Sequence, residues 1–169
     1  MALNTVKTAL GFLKSLLGKY TPLEIKSESL QDIYNYLEIG EFISTSGQPT
    51  EKQFITIRDA GFENVINLAP LNTENSLKNE SEILANLGIN YIHIPVDFSN
   101  PTEENYNDFE GHMKAFTGKN VWVHCAANMR VSAFIYRYRC NVLGEQCQSA
   151  KKELSKIWVP FGVWKEFTD

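Results

Sequence analysis

Between residues 50 and 157, short apolar runs rich in β-branched side chains alternate with helical periodicities, and this rhythm constrains the fold more than any other feature of the chain. After the turn Gly47-Gln48-Pro49, Thr50 and Gln53 stand at capping-box spacing, so a helix is expected to begin at Thr50 or Glu51. Phe54, Ile55 and Ile57 supply its apolar side, and Gly61 ends it. "NVINLA" at 64–69 then reads as a buried strand. A loop at 70–76, a helix carrying Ile83, Leu84 and Leu87, and the strand "YIHIPV" at 91–96 repeat the unit. Asn100, Pro101 and Glu103 offer a cap, a first-position proline and a first-turn acid to a helix that buries Phe109, Met113 and Phe116. "VWVHC" at 121–125 is the next strand and the last. Val131, Phe134, Ile135, Tyr138 and Val142 keep helical spacing up to Gly144, and Cys147, Ala150, Leu154 and Ile157 mark a further helix that stops before Pro160. The expectation is an α/β fold: a mainly parallel central sheet flanked by helices, followed by an all-helical C-terminal part.

The 169 residues, 43% apolar and 12% aromatic, suffice for the core of one domain, expected over 21–169. A formal charge of −4 leaves no general basic field for a nucleic-acid backbone, so no nucleic-acid partner is expected. Cys125, Cys140 and Cys147 form no C-x-x-C pair and are too few and uneven for a disulfide framework, which fits a reducing, cytoplasmic setting. Cys140 and Cys147 fall on helical faces and read as core. His93, His112 and His124 show no metal-ligand spacing, and neither metal nor cofactor is expected. Residues 1–20 read as an amphipathic helix, with Leu3, Val6, Leu10, Leu13 and Leu17 recurring on one side. An export signal or a membrane-surface segment stays open for this stretch, but it is too short to span a bilayer.

The chemistry concentrates at 124–132, "HCAANMRVS", where the last strand hands over to a helix. Free N–H groups and the helix dipole converge at such a junction, and open α/β sheets place ligands there. The site suits an anion, and a thiol in the same field has its thiolate favoured. The fork-shaped guanidinium of Arg130 can hold two oxygens of a phosphate at once. Taken singly, each residue also has a plain structural role open to it. Cys125 suits a core, Asp97 a turn, and Ser132 a bond back into its own helix. Gln48 could approach the crevice, though a turn role in Gly47-Gln48-Pro49 fits it better.

The segment resembles the cysteine-dependent protein tyrosine and dual-specificity phosphatases, and in particular the bacterial tyrosine-phosphatase-like subfamily with four residues between cysteine and arginine. Here those are Ala126, Ala127, Asn128 and Met129, between Cys125 and Arg130. "SGQPT" and "IPVDFSNPT" are similar to stretches of that subfamily, so the resemblance runs from about Phe42 onward. Ser132 falls where the wider family has its Ser or Thr, Val131 takes the place of the usual arginine, and the common mid-loop glycine is absent. The resemblance implies that Cys125 is the nucleophile of a phosphomonoester hydrolase and forms a phosphocysteine. Arg130 and the backbone N–H groups from Ala126 through Val131 would bind the phosphate. It further implies that Asp97, twenty-eight residues before Cys125 at the end of the preceding strand, is the general acid. On the same footing, Ser132 would ease departure of the thiolate, and His124 would orient the loop. The implied partner is a phosphorylated protein or a small phosphate ester. Two other readings remain open: a rhodanese-like sulfurtransferase, and a phosphate-binding module without turnover.

Overall fold

Five strands, β1 (Leu37–Ile39), β2 (Ile43–Ser46), β3 (Asn64–Asn67), β4 (Asn90–His93) and β5 (Val121–His124), form one sheet in the order β1-β2-β5-β3-β4. This computed structural model describes residues 3–18 and 29–169. β2, β5, β3 and β4 run parallel, and β1 is antiparallel at the edge beside β2. All residues of β3 and β5 are buried, which is why their sequences are mostly apolar, with Asn64, Asn67 and His124 the only polar members, rather than alternating. Val121 and Val123 point into one core layer with Ile66, Phe109, Met113, Phe134 and Tyr138. Trp122 and Val65 point the other way, toward Phe54, Ile57, Ile83 and Leu84. The expected mainly parallel sheet with helices on both faces is therefore the observed one.

Helices α2 (Glu51–Asp59) and α3 (Glu80–Asn86) supply the second layer, while α4 (Glu103–Ala115), α5 (Met129–Asn141), α6 (Cys147–Ile157) and α7 (Val163–Thr168) contribute to the first. α1 (Leu3–Gly18) packs against α6. The capping box of α2 forms as expected: Gln53 N–H donates to Thr50 Oγ1, and Thr50 N–H donates to Gln53 Oε1. α4 departs from expectation. Its cap is Thr102 rather than Asn100, because Thr102 and Asn105 satisfy one another reciprocally and leave Pro101 outside the helix.

Two further expectations change, and one element is new. The strand expected at 91–96 is laddered only over β4. Beyond it, Ile94 and Val96 donate to the carbonyls of Asn67 and Leu68, so the chain still tracks β3 toward the carboxyl edge. The β1–β2 hairpin has no counterpart in the sequence reading; its strands are short, and Gly40, at φ +67°, turns between them. Cys140 and Cys147 are not core residues. Cys147 is exposed, and the turn from α5 to α6 brings the pair within 5.1 Å between Cα atoms, as a disulfide. The Leu17 side chain and the division at residues 20–21 lie outside the described residues. No helix among the described residues is long and apolar enough to cross a membrane.

Candidate active site

The four parallel strands end on one edge of the sheet, so the segments that follow them meet there. β5 sits between β2 and β3, with His124 in register with Ser46 on one side and Asn67 on the other. Cys125, the next residue, is free and fully buried, and its N–H donates to Ser46 O at 3.3 Å. β4 is not the neighbour of β5, because β3 lies between them. Asp97 therefore approaches the loop by way of the extended 94–96 segment, not from an adjacent strand end.

The loop is held by its carbonyls. Asn75 Nδ2 and Gln48 N–H both donate to Ala126 O, at 2.9 and 3.3 Å, and Asn35 Nδ2 donates to Ala127 O at 3.0 Å. With those oxygens engaged outward, the N–H groups of Ala126, Ala127, Met129, Arg130 and Val131 have no hydrogen-bond partner among the described residues. This is the state in which first-turn amides can receive an anion. Asn128 does the work a glycine would otherwise do. Its φ is +63°, a left-handed conformation that asparagine tolerates, and its side chain donates to Asn35 O at 2.7 Å and to Thr45 Oγ1 at 2.9 Å. The missing mid-loop glycine is thus compensated by an asparagine locked to its neighbours.

Arg130 is the second residue of α5, is only 9% exposed, and makes no salt bridge among the described residues. Its Nε is buried without a partner, and its guanidinium lies 5.2 Å from the centre of the Phe98 ring. A cation so placed is opposed by the helix dipole unless an anion lies near. Asp97 is exposed and accepts from Ser99 N–H and Ser99 Oγ, both at 2.8 Å. Those two bonds, helped by the field of Arg130, hold its carboxyl below the usual carboxylate range. Trp164 of α7 donates to Phe98 O at 2.7 Å and anchors the Asp97–Phe98 segment. Ser132 is engaged elsewhere than the thiol: its hydroxyl donates to Met129 O and accepts from the Trp158 indole.

His124 does lie behind the loop, and its partner is Glu80, a residue the sequence reading did not single out. Both are buried, and His124 Nε2 lies 3.2 Å from Glu80 Oε1, off the axis of a linear hydrogen bond, so the attraction is chiefly coulombic. Asn67 Nδ2 donates to Glu80 Oε1 at 2.8 Å and Gln48 Nε2 to Glu80 Oε2 at 2.5 Å. Burial by itself raises the Glu80 carboxyl, but the attraction of His124 and the bonds from Gln48 and Tyr91 outweigh it and bring it from 4.5 to about 2. Gln48, whose own N–H holds Ala126, links this network to the loop, a closer involvement than its expected turn role. A carboxyl that binds its proton less tightly when folded stabilises the fold fully above pH 4.5, and that contribution is lost as the pH falls through about 2. Glu80→Gln is expected to cost about 3–5 kcal/mol by leaving His124 buried without its carboxylate. It should also flatten the acid limb of stability against pH, as measured by urea unfolding across that range.

The structure therefore brings Cys125, residues 126–131, Arg130 and His124 together, with Asp97 at the rim. Six of the eight buried side-chain polar atoms without partners among the described residues belong to Gln48, Asn75, His124, Asn128 and Arg130, a concentration typical of functional sites. Asn35, Asn75, Glu80, Phe98 and Trp164 are the contributors the sequence reading missed. Only the two asparagines carried a signal, as residues suited to left-handed or turn backbone, and that signal does not say what they hold.

Known proteins resemble the chain in sequence and in fold. Residues 15–159 match the family described as DSP-PTPase phosphatase fused to NAD+ kinase. The structure of a phosphatase candidate (DUF442) from Shewanella putrefaciens CN-32 is 31% identical, with a TM-score of 0.74, over 82% of this chain and 91% of that one. P. aeruginosa TpbA in complex with pTyr shares the fold at 13% identity and TM-score 0.60, over 80% of this chain and 89% of that one. The "Beta-lactamase hydrolase-like protein" of Xylella fastidiosa (strain Temecula1) is 33% identical over 97 residues, 56% of this chain; that match spans only 22% of the relative's length. With the family matched across 15–159 and a 31% identical relative covered almost end to end, the chain belongs to the DSP-PTPase phosphatase family.

Proposed function

We propose that the protein hydrolyses phosphate monoesters through a phosphocysteine on Cys125. The observation that carries this reading is Arg130, a buried guanidinium with an unpartnered Nε at the start of α5, five residues after a free cysteine. The Cys125 sulfur attacks phosphorus as the ester P–O bond breaks. Arg130 and the loop N–H groups stabilise charge on the non-bridging oxygens, and Asp97 gives its proton to the leaving oxygen. The Asp97 carboxylate then takes a proton from water, whose oxygen attacks phosphorus, the S–P bond breaks, and phosphate leaves. Ala126, Ala127, Asn128 and Met129 add no charge to the loop, which favours a singly phosphorylated aryl or alkyl ester over a polyphosphate. TpbA has been crystallised with pTyr, and phosphotyrosine is the first substrate to try here.

A second reading, an oxyanion binder without turnover, is favoured by the complete burial of Cys125 and by the lowered Asp97 carboxyl. Asp97→Asn separates the two. On esters with poor leaving groups, turnover is expected to fall about 10²-fold or more, while p-nitrophenyl phosphate, whose leaving oxygen needs little protonation, loses far less. Equal losses on both classes would remove Asp97 from the acid role. Bound phosphate with no turnover of any ester would favour the binder.

A further inference from the structure

α1 is docked the opposite way round from an ordinary surface helix. Its polar and small residues face the protein. Thr5 and Thr8 are buried, Thr8 Oγ1 donates to Ile157 O at 2.5 Å, Asn4 Nδ2 donates to Ser155 O at 2.7 Å, and Val159 N–H donates to Thr5 Oγ1 at 3.0 Å. Ser155 O and Ile157 O belong to the last turn of α6, where carbonyls have no partner within the helix, so the polar face of α1 serves as a cap for α6. Tyr34 donates to Thr8 O, and Gly11 lets that ring close in, since a Cβ there would meet Tyr34 Cε2 at 2.7 Å.

With that side committed, the apolar side is turned outward: Leu3 is 70% exposed, Val6 39%, Leu10 54% and Leu13 55%. Globular helices bury such a stripe. The charge around it selects the occupant. Residues 1–23 contain Lys7, Lys14 and Lys19 and no Asp or Glu, in a chain whose formal net charge is −4. A second copy of the helix would bring lysine against lysine with no acid to match, whereas an anionic bilayer satisfies both the leucines and the lysines.

We propose that α1 is a membrane-surface docking helix that lays Leu3, Val6, Leu10 and Leu13 into the interface of an anionic bilayer. The link from Thr8 through Tyr34, whose carbonyl accepts from Gly47 N–H at 2.7 Å, sets this docking surface close to the Cys125 loop.

The test is co-sedimentation of the full chain with vesicles of phosphatidylcholine alone or mixed with phosphatidylglycerol, at low and high salt. Binding on the order of tenfold tighter to the anionic vesicles, weakened by salt and by Lys7→Glu, is expected. Leu10→Asp with Leu13→Asp should abolish it while leaving p-nitrophenyl phosphate hydrolysis and the far-ultraviolet circular dichroism unchanged. Both leucines are exposed, so the double variant keeps its fold. The proposal is overturned if the protein stays in the supernatant with both vesicle types, or if binding survives the double aspartate variant. It also falls if sedimentation equilibrium shows a dimer that the same variant dissolves, which would make a second copy the occupant.

Discussion

Cys125→Ser is expected to lower hydrolysis of p-nitrophenyl phosphate by roughly 10⁴-fold or more, with the fold intact and with a chelator leaving the wild-type rate unchanged. The substitution is nearly isosteric and the site is fully buried, so packing around residue 125 changes little. The chemistry changes completely, because a serine hydroxyl is scarcely ionised at neutral pH and no general base stands behind it in this mechanism. His124 cannot take that part, since it is buried against Glu80, on whose carboxylate its Nε2 closes. Phosphate binding should persist in the serine variant, because Arg130 and the loop N–H groups are untouched. Isothermal titration with inorganic phosphate checks that half of the expectation, and steady-state assay checks the other. A variant that kept its activity would reject the cysteine mechanism.

Arg130→Lys is expected to weaken binding of phosphate or vanadate and to lower kcat/KM together, by about 10²–10³-fold. The arginine supplies a rigid planar fork stacked 5.2 Å from the centre of Phe98, and a lysine ammonium offers neither the second parallel donor nor the flat face. Arriving one residue earlier than in the wider family costs the side chain nothing, because it starts from the first turn of α5 rather than from the loop proper. Val131, at the position the family's usual arginine takes, is fully buried in the core and has only its N–H to offer. An equal affinity for vanadate in the lysine variant would show that Arg130 does not touch the anion.

Much of this architecture is legible before any coordinates. Thr50 and Gln53 form their box because both halves of that motif are local. β3 and β5 are recognisable because strands buried on both faces carry near-continuous apolar sequence, interrupted here only by Asn64, Asn67 and His124. Where the contacts are tertiary, the signal fades. Leu37–Ile39 and Ile43–Ser46 are too short and too polar to announce a hairpin, and they become strands by pairing with each other and with β5. The start of α4 moves from Asn100 to Thr102 because reciprocal bonding with Asn105 outweighs the appeal of a first-position proline.

The site divides in the same way. His124, Cys125 and Arg130 lie within one seven-residue stretch of the chain and are legible as a motif, whereas Glu80 reads as an ordinary first-turn acid and is instead 2% exposed. Nothing in "KNESEI" signals that a buried histidine and two amides will converge on that carboxylate. Cys140 and Cys147 carry the same lesson: each lies on a helix, and only the turn between α5 and α6 shows that they meet.

The central claim is that phosphate passes through the sulfur of Cys125, and rapid acid quenching of a steady-state mixture with an aryl phosphate tests it directly, followed by mass spectrometry of the peptide containing residues 121–130. The mechanism predicts a phosphoryl group on Cys125, more abundant in Asp97→Asn with a good leaving group because breakdown of the phosphocysteine is slowed, and absent in Cys125→Ser. Turnover with no phosphate on that peptide, or a persulfide in its place, would contradict it.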